Sequence, residues 1–228
     1  MHFVSSTQDT TTHDIAAKII ELLEQEKKVL WLTSGGSNVL LEAKIMDLLQ
    51  KHAPKQLSLL TIFGMDERFG KYGHKDSNTQ ALRAAKFEAG AATWIDILTD
   101  DRSFLDTLSR FNDTARESFA FSDVVIGQFG LGNDGHVAGV LPGSPATNND
   151  AAFVEGYEWE DYTRITLTPF ALREIDLAYV VAFGANKNEA LHRLAEKKEG
   201  IETLPGILLY DIPECYVYND QLEDKEYS

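Results

Sequence analysis

The most constraining feature of the sequence is a short apolar run, residues 124–129, that leads directly into a glycine-rich loop. An uninterrupted apolar run of this length is typical of a strand buried on both faces of a parallel sheet. The glycines of the loop allow tight bends or a close approach by a ligand. Asp134 and His136 follow within this loop, at the strand end where open α/β sheets bind ligands.

The same arrangement of strand and polar loop occurs at three other places. Apolar runs at residues 29–33, 57–63 and 177–183 each lead into a loop that contains glycine, and helical patterns separate them. This alternation predicts an α/β fold, with a mainly parallel sheet flanked by helices on both faces, in a single domain over residues 1–228. Since parallel strands end at one edge of a sheet, we expect the four loops to converge on one crevice.

Polar residues mark where some of the helices begin. We expect Thr12 to cap the first helix, and Asp100 or Asp101 to cap the helix with apolar residues at helical spacing over 104–119. Residues 148–162 are acidic and irregular in pattern. They are predicted to form an irregular segment, with a flap as one interpretation.

The loop after residue 129 matches the dinucleotide-binding pattern G-x-G-x-x-G, but its surroundings do not fit that function. The pattern requires a helix to open at its third glycine, whereas Gly139, Pro142 and Pro145 interrupt any helix within about two turns. Glu155 lies at roughly the spacing of the ribose-binding acid, but no strand pattern precedes it. We therefore interpret the match as accidental and exclude a nicotinamide cofactor.

Charge and cysteine content exclude several classes of protein. The formal net charge of −15 argues against nucleic-acid binding, because a duplex would be repelled. The single cysteine, Cys215, excludes an intramolecular disulfide framework. No apolar run approaches the length of a membrane span, and residues 1–14 lack a signal-peptide core, so we expect a cytoplasmic location.

In a protein this acidic, basic groups near glycine loops are candidates for binding an anionic ligand. Residues 34–37 read Ser-Gly-Gly-Ser before a helix, and they form either a phosphate cradle or a tight turn in which Ser37 caps the helix. Arg68 either binds phosphate or pairs with neighbouring acids at the surface. Lys187 either binds the same anionic ligand or is a solvated residue at the start of a helix. Asp66 and Glu67 either orient ligand hydroxyls or balance the charge of Arg68.

His136 is the strongest candidate for proton transfer, because an imidazole titrates near neutral pH. Its alternative role is structural, with the ring bonded to the loop backbone. His52, His74 and His192 lie in polar surroundings and are expected at the surface. No spacing of His, Cys or Glu resembles a zinc site, and Ser144 lacks the context of a nucleophile elbow.

Seven motifs occur in one order between residues 13 and 218. They are Ser34-Gly-Gly-Ser37, Asp66-Glu-Arg68, Asp76-Ser-Asn78, Gly130-Leu-Gly-Asn-Asp-Gly-His136, Leu141-Pro-Gly-Ser-Pro145, Arg164-Ile-Thr-Leu-Thr168 and Gly184-Ala-Asn-Lys187. This set resembles the 6-phosphogluconolactonase family, within the superfamily that also contains glucosamine-6-phosphate deaminases. The resemblance implies the Rossmann-like fold of sugar-phosphate isomerases and lactonases.

One detail favours a lactonase over a deaminase. After Asp-Gly-His, deaminases typically read Ile-Ala-Phe-Asn-Glu-Pro-Gly, and the glutamate belongs to the proton relay that opens the sugar ring. Val140 and Leu141 occupy the Asn-Glu positions here, which is similar to the lactonase pattern. Two loops depart from the family: Asn38-Val39 replaces the usual Thr-Pro, and Phe69-Gly70 replaces Val-Pro.

The resemblance implies hydrolysis of 6-phospho-D-glucono-1,5-lactone in the pentose phosphate pathway, with His136 as general base on water and Asp134 orienting the loop or the imidazole. The implied substrate-binding residues are Ser34, Gly35, Gly36, Ser37, Asp66, Arg68 and Lys187. No cofactor and no metal are expected, because the ring already activates the ester.

The expected partner is a sugar phosphate, with no nucleic acid and no membrane, and the expected state is a monomer. Two alternatives remain open at this point. One is a deaminase or isomerase that acts on an amino-sugar phosphate with Asp66 as base. The other is a non-catalytic protein that binds a sugar phosphate, because a fold by itself does not determine function.

Overall fold

The structure is a computed structural model that describes residues 1–99, 102–159 and 162–226. These residues form eleven strands: β1 (His2–Ser5), β2 (Val29–Thr33), β3 (Leu60–Gly64), β4 (Asp66–Arg68), β5 (Thr93–Ile95), β6 (Val124–Gly130), β7 (Val154–Trp159), β8 (Tyr162–Leu167), β9 (Leu177–Ala182), β10 (Glu214–Asn219) and β11 (Lys225–Glu226). They also form six α-helices: α1 (Gln8–Glu24), α2 (Val39–His52), α3 (Asn78–Ala84), α4 (Phe104–Phe121), α5 (Pro169–Leu172) and α6 (Asn188–Glu196). None of the helices in these residues is long and apolar enough to cross a membrane.

Eight strands form one sheet in the order β11-β1-β10-β9-β6-β2-β3-β5. Neighbouring strands are parallel except β11, which runs antiparallel to β1. From β2 the chain proceeds through α2 to β3 on one side, whereas from β6 it proceeds to β9 on the other side. The carboxyl ends of β2 and β6 therefore flank the topological switch point of the sheet, where ligands bind in such folds.

Successive residues of the central strands face two separate cores. On β2, Leu30 packs in one core with Phe111 of α4 and Leu191 of α6. Trp31, the next residue, packs in the other core with Ile19 of α1. Helices thus cover both faces, because a strand buried on both sides directs its apolar side chains alternately to each. The predicted α/β fold with a mainly parallel sheet is confirmed.

A second, antiparallel sheet has the order β4-β8-β7. Its β7 lies within residues 148–162, so the prediction of an irregular segment is wrong for Val154–Trp159. Val154 and Tyr157 of this strand are buried, and pairing with β8 satisfies its backbone. The acidic pattern is therefore overridden by tertiary pairing. Residues 160 and 161 lie outside the described residues.

The starts of two helices differ from the sequence-based expectation. Thr7, and not Thr12, caps α1, because its hydroxyl accepts a main-chain N–H of the first turn at 3.2 Å. Ser103 caps α4 in the same way, also at 3.2 Å. The expected caps Asp100 and Asp101 lie outside the described residues.

Candidate active site

A cleft of about 500 Å³ opens at the switch point of the large sheet, a volume typical of small-molecule sites. The loops after β2, β6 and β9 line it, together with strands β4 and β8 of the small sheet and the start of α3. All nine positions predicted from the sequence lie on this one cleft: Ser34, Gly35, Gly36, Ser37, Asp66, Arg68, Asp134, His136 and Lys187. The remaining lining residues are Asn78, Gly130, Leu131, Gly132, Asn133, Ala138, Arg164 and Asn186.

His136 and Asp134 form a hydrogen-bonded pair in the loop after β6. His136 Nδ1 lies 2.7 Å from Asp134 Oδ1, which also accepts the main-chain N–H of His136 at 3.1 Å. Burial acts to raise the pKa of Asp134, but the hydrogen bonds and charge of His136 outweigh it and lower that pKa to about 2. An ionised carboxylate only accepts hydrogen bonds, so Nδ1 carries the hydrogen and the Nε2 lone pair is available to a ligand or water.

Gly132 is required by the close approach of this pair. A β-carbon at this position would lie 2.1 Å from His136 Nδ1 and 2.5 Å from Asp134 Oδ1. The Gly132 N–H donates to the His136 carbonyl at 2.8 Å, and its carbonyl accepts the Gly135 N–H at 3.0 Å. The glycine pattern thus builds a tight loop around an acid and a histidine, and the described loop does not continue into a helix at its third glycine.

The small sheet supports the far side of the same loop. Gly139 donates its N–H to Thr166 Oγ1 of β8 at 3.0 Å. Its carbonyl accepts the hydroxyl of Tyr157 from β7. The segment that the sequence pattern suggested as a flap is therefore part of the scaffold of the cleft.

The loop of residues 34–37 rests on a buried acid, Glu42 of α2. The Ser34 N–H donates to Glu42 Oε1 at 2.9 Å, and the Gly35 N–H also stabilises the ionised carboxylate. Burial is the strongest influence and raises the pKa of Glu42 to about 7 despite these hydrogen bonds. The Gly36 and Ser37 N–H groups have no acceptor among the residues that the structure describes, so they remain available to a ligand.

Asn38 ties this loop to the central strand. It lies at the N-cap position of α2, which the sequence assigned to Ser37, but its side chain makes no cap hydrogen bond. Instead its Nδ2 donates to Ser34 Oγ at 3.3 Å and to the Phe129 carbonyl of β6 at 3.2 Å. The departure from the Thr-Pro pattern therefore introduces a link between the loops after β2 and β6.

Gly35 allows the loop to pack against α3. Its φ of +69° is in the left-handed region, and a β-carbon would lie 2.8 Å from the side chain of Asn78. Asn78 in turn donates from Nδ2 to the main-chain carbonyl of Asp66 at 3.0 Å. The glycine loop and strand β4 are thus held together through one amide side chain.

Two arginines lie side by side on adjacent strands of the small sheet. Arg68 of β4 and Arg164 of β8 are register partners, and their guanidinium carbons lie 5.7 and 5.5 Å from the centroid of the Tyr162 ring. Arg68 Nη1 donates to the Asp76 carbonyl at 3.1 Å, but the Nε atoms of both arginines are buried without a hydrogen-bond partner. Neither arginine forms an ion pair with a described carboxylate. An anionic ligand in the cleft would find both cations available.

Asp66 and Glu67, the two acids before Arg68, have different environments. Asp66 lines the cleft, and burial raises its pKa to about 6, although Arg68 and Arg164 oppose the change. Glu67 is buried at the start of α3 and accepts the N–H groups of Asn78 and Thr79 at 2.8 and 3.1 Å. Glu67 therefore holds α3 in place, since a carboxylate compensates the exposed N–H groups of a helix start.

Lys187 approaches the cleft from the turn after β9. Burial lowers the pKa of its amine, and the negative charge of Asp134 partly offsets that effect. Asn186 beside it donates from Nδ2 to Asn133 Oδ1 at 3.1 Å, which joins this turn to the loop after β6. The amine is thus positioned beside the acid–histidine pair. No group of three or more His, Cys, Asp or Glu side chains within the described ranges is arranged to hold a metal ion.

Residues 5–212 match the family model described as glucosamine-6-phosphate isomerases/6-phosphogluconolactonase. The chain belongs to this family. The 6-phosphogluconolactonase of Xylella fastidiosa is a family relative with 25% identity over 204 residues, which cover 85% of this chain and 82% of that protein.

Solved structures related to this family share the fold. The 6-phosphogluconolactonase of Thermotoga maritima has a TM-score of 0.74 at 20% identity and covers 95% of this chain and 97% of its own. A monomeric glucosamine-6-phosphate deaminase has a TM-score of 0.78 at 15% identity, and the match covers 96% of this chain and 97% of that chain. Lactonase and deaminase structures therefore match the fold about equally well, and the distinction between them depends on the site.

Three residues of the site received no role from the sequence. Arg164 and Asn78 stood in recognised motifs, but their approach to the cleft depends on the pairing of β4 with β8 and on the position of α3. The sequence does contain a signal for Glu42, because it lies three and four residues before the apolar Ile45 and Met46 and therefore on the same face of the helix. An acid on the apolar face of a covered helix is buried and needs hydrogen-bond donors.

Proposed function

We propose that the protein hydrolyses 6-phospho-D-glucono-1,5-lactone to 6-phosphogluconate. The observation that carries the proposal is the hydrogen-bonded pair of His136 and Asp134, which borders a cleft that also contains three basic side chains. The family match and the activity named for the Xylella fastidiosa relative support the same reaction.

His136 is proposed as the general base. Its Nε2 accepts a proton from water as the water oxygen attacks the lactone carbonyl carbon, and the resulting tetrahedral intermediate collapses by cleaving the bond to the ring oxygen. The proton then passes from the imidazole to that oxygen, so that water is added across the ester. Asp134 keeps the ring in the required tautomer and stabilises the imidazolium. A general base of this kind contributes roughly 10²–10⁴ to the rate.

Basic side chains are proposed to bind the phosphate. An anion approaching a protein with a net charge of −15 needs local positive groups, and Arg68, Arg164 and Lys187 provide them. The Gly36 and Ser37 N–H groups, in the turn that precedes α2, are proposed to bind a second substrate oxygen, either of the phosphate or of the developing oxyanion.

A deaminase is the second candidate, and the burial of Asp66 favours it. A buried carboxyl with a pKa of about 6 in the cleft suits a base for sugar isomerisation. The positions of the deaminase Asn-Glu pair argue against it, because Val140 and Leu141 are 0% and 7% exposed and belong to the apolar core. Neither side chain has a titratable group, so the proton relay that opens an amino sugar has no acid at this point of the loop.

The decisive experiment measures acid release from freshly prepared lactone in a pH-stat, corrected for spontaneous opening. Wild-type protein should accelerate hydrolysis, and His136→Ala should abolish that acceleration with nearly unchanged thermal stability. His52→Ala serves as the matched control, because this histidine is exposed at the end of α2 and should leave the rate unchanged. Activity that survives in His136→Ala would refute the catalytic assignment.

Two further measurements separate the alternatives. Release of ammonia from glucosamine 6-phosphate would identify a deaminase instead. Tight binding of 6-phosphogluconate by calorimetry, with no turnover of fresh lactone, would identify a non-catalytic binding protein. The lactonase proposal requires turnover of the lactone and no ammonia release.

The cellular setting follows from the same reaction. Opening of this lactone belongs to the pentose phosphate pathway, and we place the protein there, in the cytoplasm and as a monomer. The buried single thiol of Cys215 suits a reducing compartment.

A further inference from the structure

Arg193 of α6 connects three segments of the chain behind the cleft. Its Nε and Nη2 atoms donate to the two carboxylate oxygens of Glu199, both at 2.7 Å. Nη2 also donates to the Thr203 carbonyl at 3.0 Å, and Nη1 donates to the main-chain carbonyl of Asp134 at 3.2 Å. One planar guanidinium thus joins α6 to the loop after β6 and to the segment that follows the helix.

The bond to Asp134 is made at the back of the proposed catalytic pair. The carboxylate of Asp134 bonds His136, whereas the main-chain carbonyl of the same residue points to Arg193. The neighbouring Gly135 carbonyl accepts the Gly206 N–H at 2.9 Å. The loop is therefore fixed from behind at two successive carbonyls, and only one of these bonds comes from a side chain that can be replaced.

We propose that Arg193 is a positioning residue for catalysis, which holds the Asp134 backbone so that the imidazole of His136 faces the lactone carbonyl. This inference rests on the proposed lactonase function. Arg193 is not among the residues that line the cleft, so it acts through Asp134 and not on the substrate. Its loss should therefore lower kcat, and the groups assigned to phosphate binding should keep KM nearly unchanged.

Arg193→Ala is the first test. A displacement of a catalytic group by about 1 Å costs up to about a hundredfold in rate, so we expect kcat to fall by about tenfold to a hundredfold with KM within about threefold of wild type. Guanidinium chloride at low millimolar concentration should restore part of the lost kcat by occupying the vacated position. Arg193→Lys keeps the charge but not the planar fork, and its kcat should lie between those of wild type and Arg193→Ala.

Arg173→Ala is the matched control. Arg173 also forms two close ion pairs, to Asp150 at 2.7 Å and to Asp211 at 2.9 Å, but none of these three residues lines the cleft. Its loss should leave kcat unchanged. Glu199→Ala is a milder variant that removes only the carboxylate holding Arg193, and it should lower kcat a few-fold. It keeps the inference testable if Arg193→Ala does not fold.

The outcomes separate this inference from the proposed function. Wild-type protein without lactonase activity would overturn the function itself. With an active wild type, an unchanged kcat in folded Arg193→Ala, or an unchanged kcat in Glu199→Ala where the first variant does not fold, would overturn the positioning role. A loss confined to KM, or an equal loss of kcat in Arg173→Ala, would also overturn it.

Discussion

Replacing Glu42 by glutamine should change the pH dependence of folding stability. The side chain is completely buried beneath the loop of residues 34–37, and Ser34 donates its N–H to one carboxylate oxygen. The other oxygen has no hydrogen-bond partner among the residues described. Glutamine has the same shape, keeps an acceptor for Ser34 and cannot ionise. Glu42→Gln therefore isolates the free energy of ionising this group.

The magnitude follows from the pKa of Glu42, which rises from 4.5 to about 7 on burial. Because this pKa is higher in the folded protein, the folded state keeps a proton that the unfolded chain releases above pH 4.5. Stability is therefore lost as the pH rises from 4.5 to about 7, by about 3 kcal/mol in total. Between about pH 5.5 and about pH 8.5 the loss amounts to about 2 kcal/mol.

The assay is urea unfolding of wild type and Glu42→Gln at those two pH values. The free energy of unfolding of the variant, relative to wild type, should increase by about 2 kcal/mol between the acidic and the alkaline measurement. Glu117→Gln, at an exposed position of α4, should show no such increase. An equal difference between Glu42→Gln and wild type at both pH values would refute the argument that Glu42 resists ionisation in the folded protein.

Three further variants test the cleft. Gly132→Ala places a β-carbon 2.1 Å from His136 Nδ1 and should lower kcat by about a hundredfold. Gly200→Ala is the control, because a β-carbon there meets no atom within 4 Å. Equal kcat values for the two variants would contradict the steric argument. Asp134→Asn removes the carboxylate that sets the tautomer and should lower kcat by on the order of a hundredfold or more in steady-state assays; an unchanged kcat would refute this role. Arg164→Ala should raise KM for the phosphorylated lactone by about tenfold and leave turnover of unphosphorylated gluconolactone unchanged; an equal effect on both substrates would exclude a phosphate contact.

Much of the architecture was accessible from local patterns. Apolar runs followed by glycine loops predicted parallel strands, and parallel strands require their carboxyl ends to share an edge. This topological rule predicts that Ser34, Arg68, His136 and Lys187 lie together, and all four line one cleft. The pair of Asp134 and His136 was accessible for another reason, since residues two apart in a tight loop are neighbours regardless of the rest of the fold.

Other parts of the site depend on contacts between distant segments. The acidic composition of residues 148–162 suggested an irregular segment, but pairing with β8 makes Val154–Trp159 a strand. Arg164 meets Arg68 only through the register of β4 with β8. Arg193 reaches the Asp134 carbonyl from a helix 59 residues further along the chain. No local pattern contains such information, because strand register and helix placement are set by the packing of the whole core.

Local patterns are sufficient to predict the fold class, the edge of the sheet at which the loops meet and the acid–histidine pair, because each follows from hydrophobic periodicity or from short-range geometry. Which amides and cations are available to a ligand depends instead on how the chain packs. Glu42 engages the Ser34 amide from below, and the small sheet places a second arginine beside Arg68. Both outcomes depend on burial and on long-range pairing, which exist only once the chain has packed.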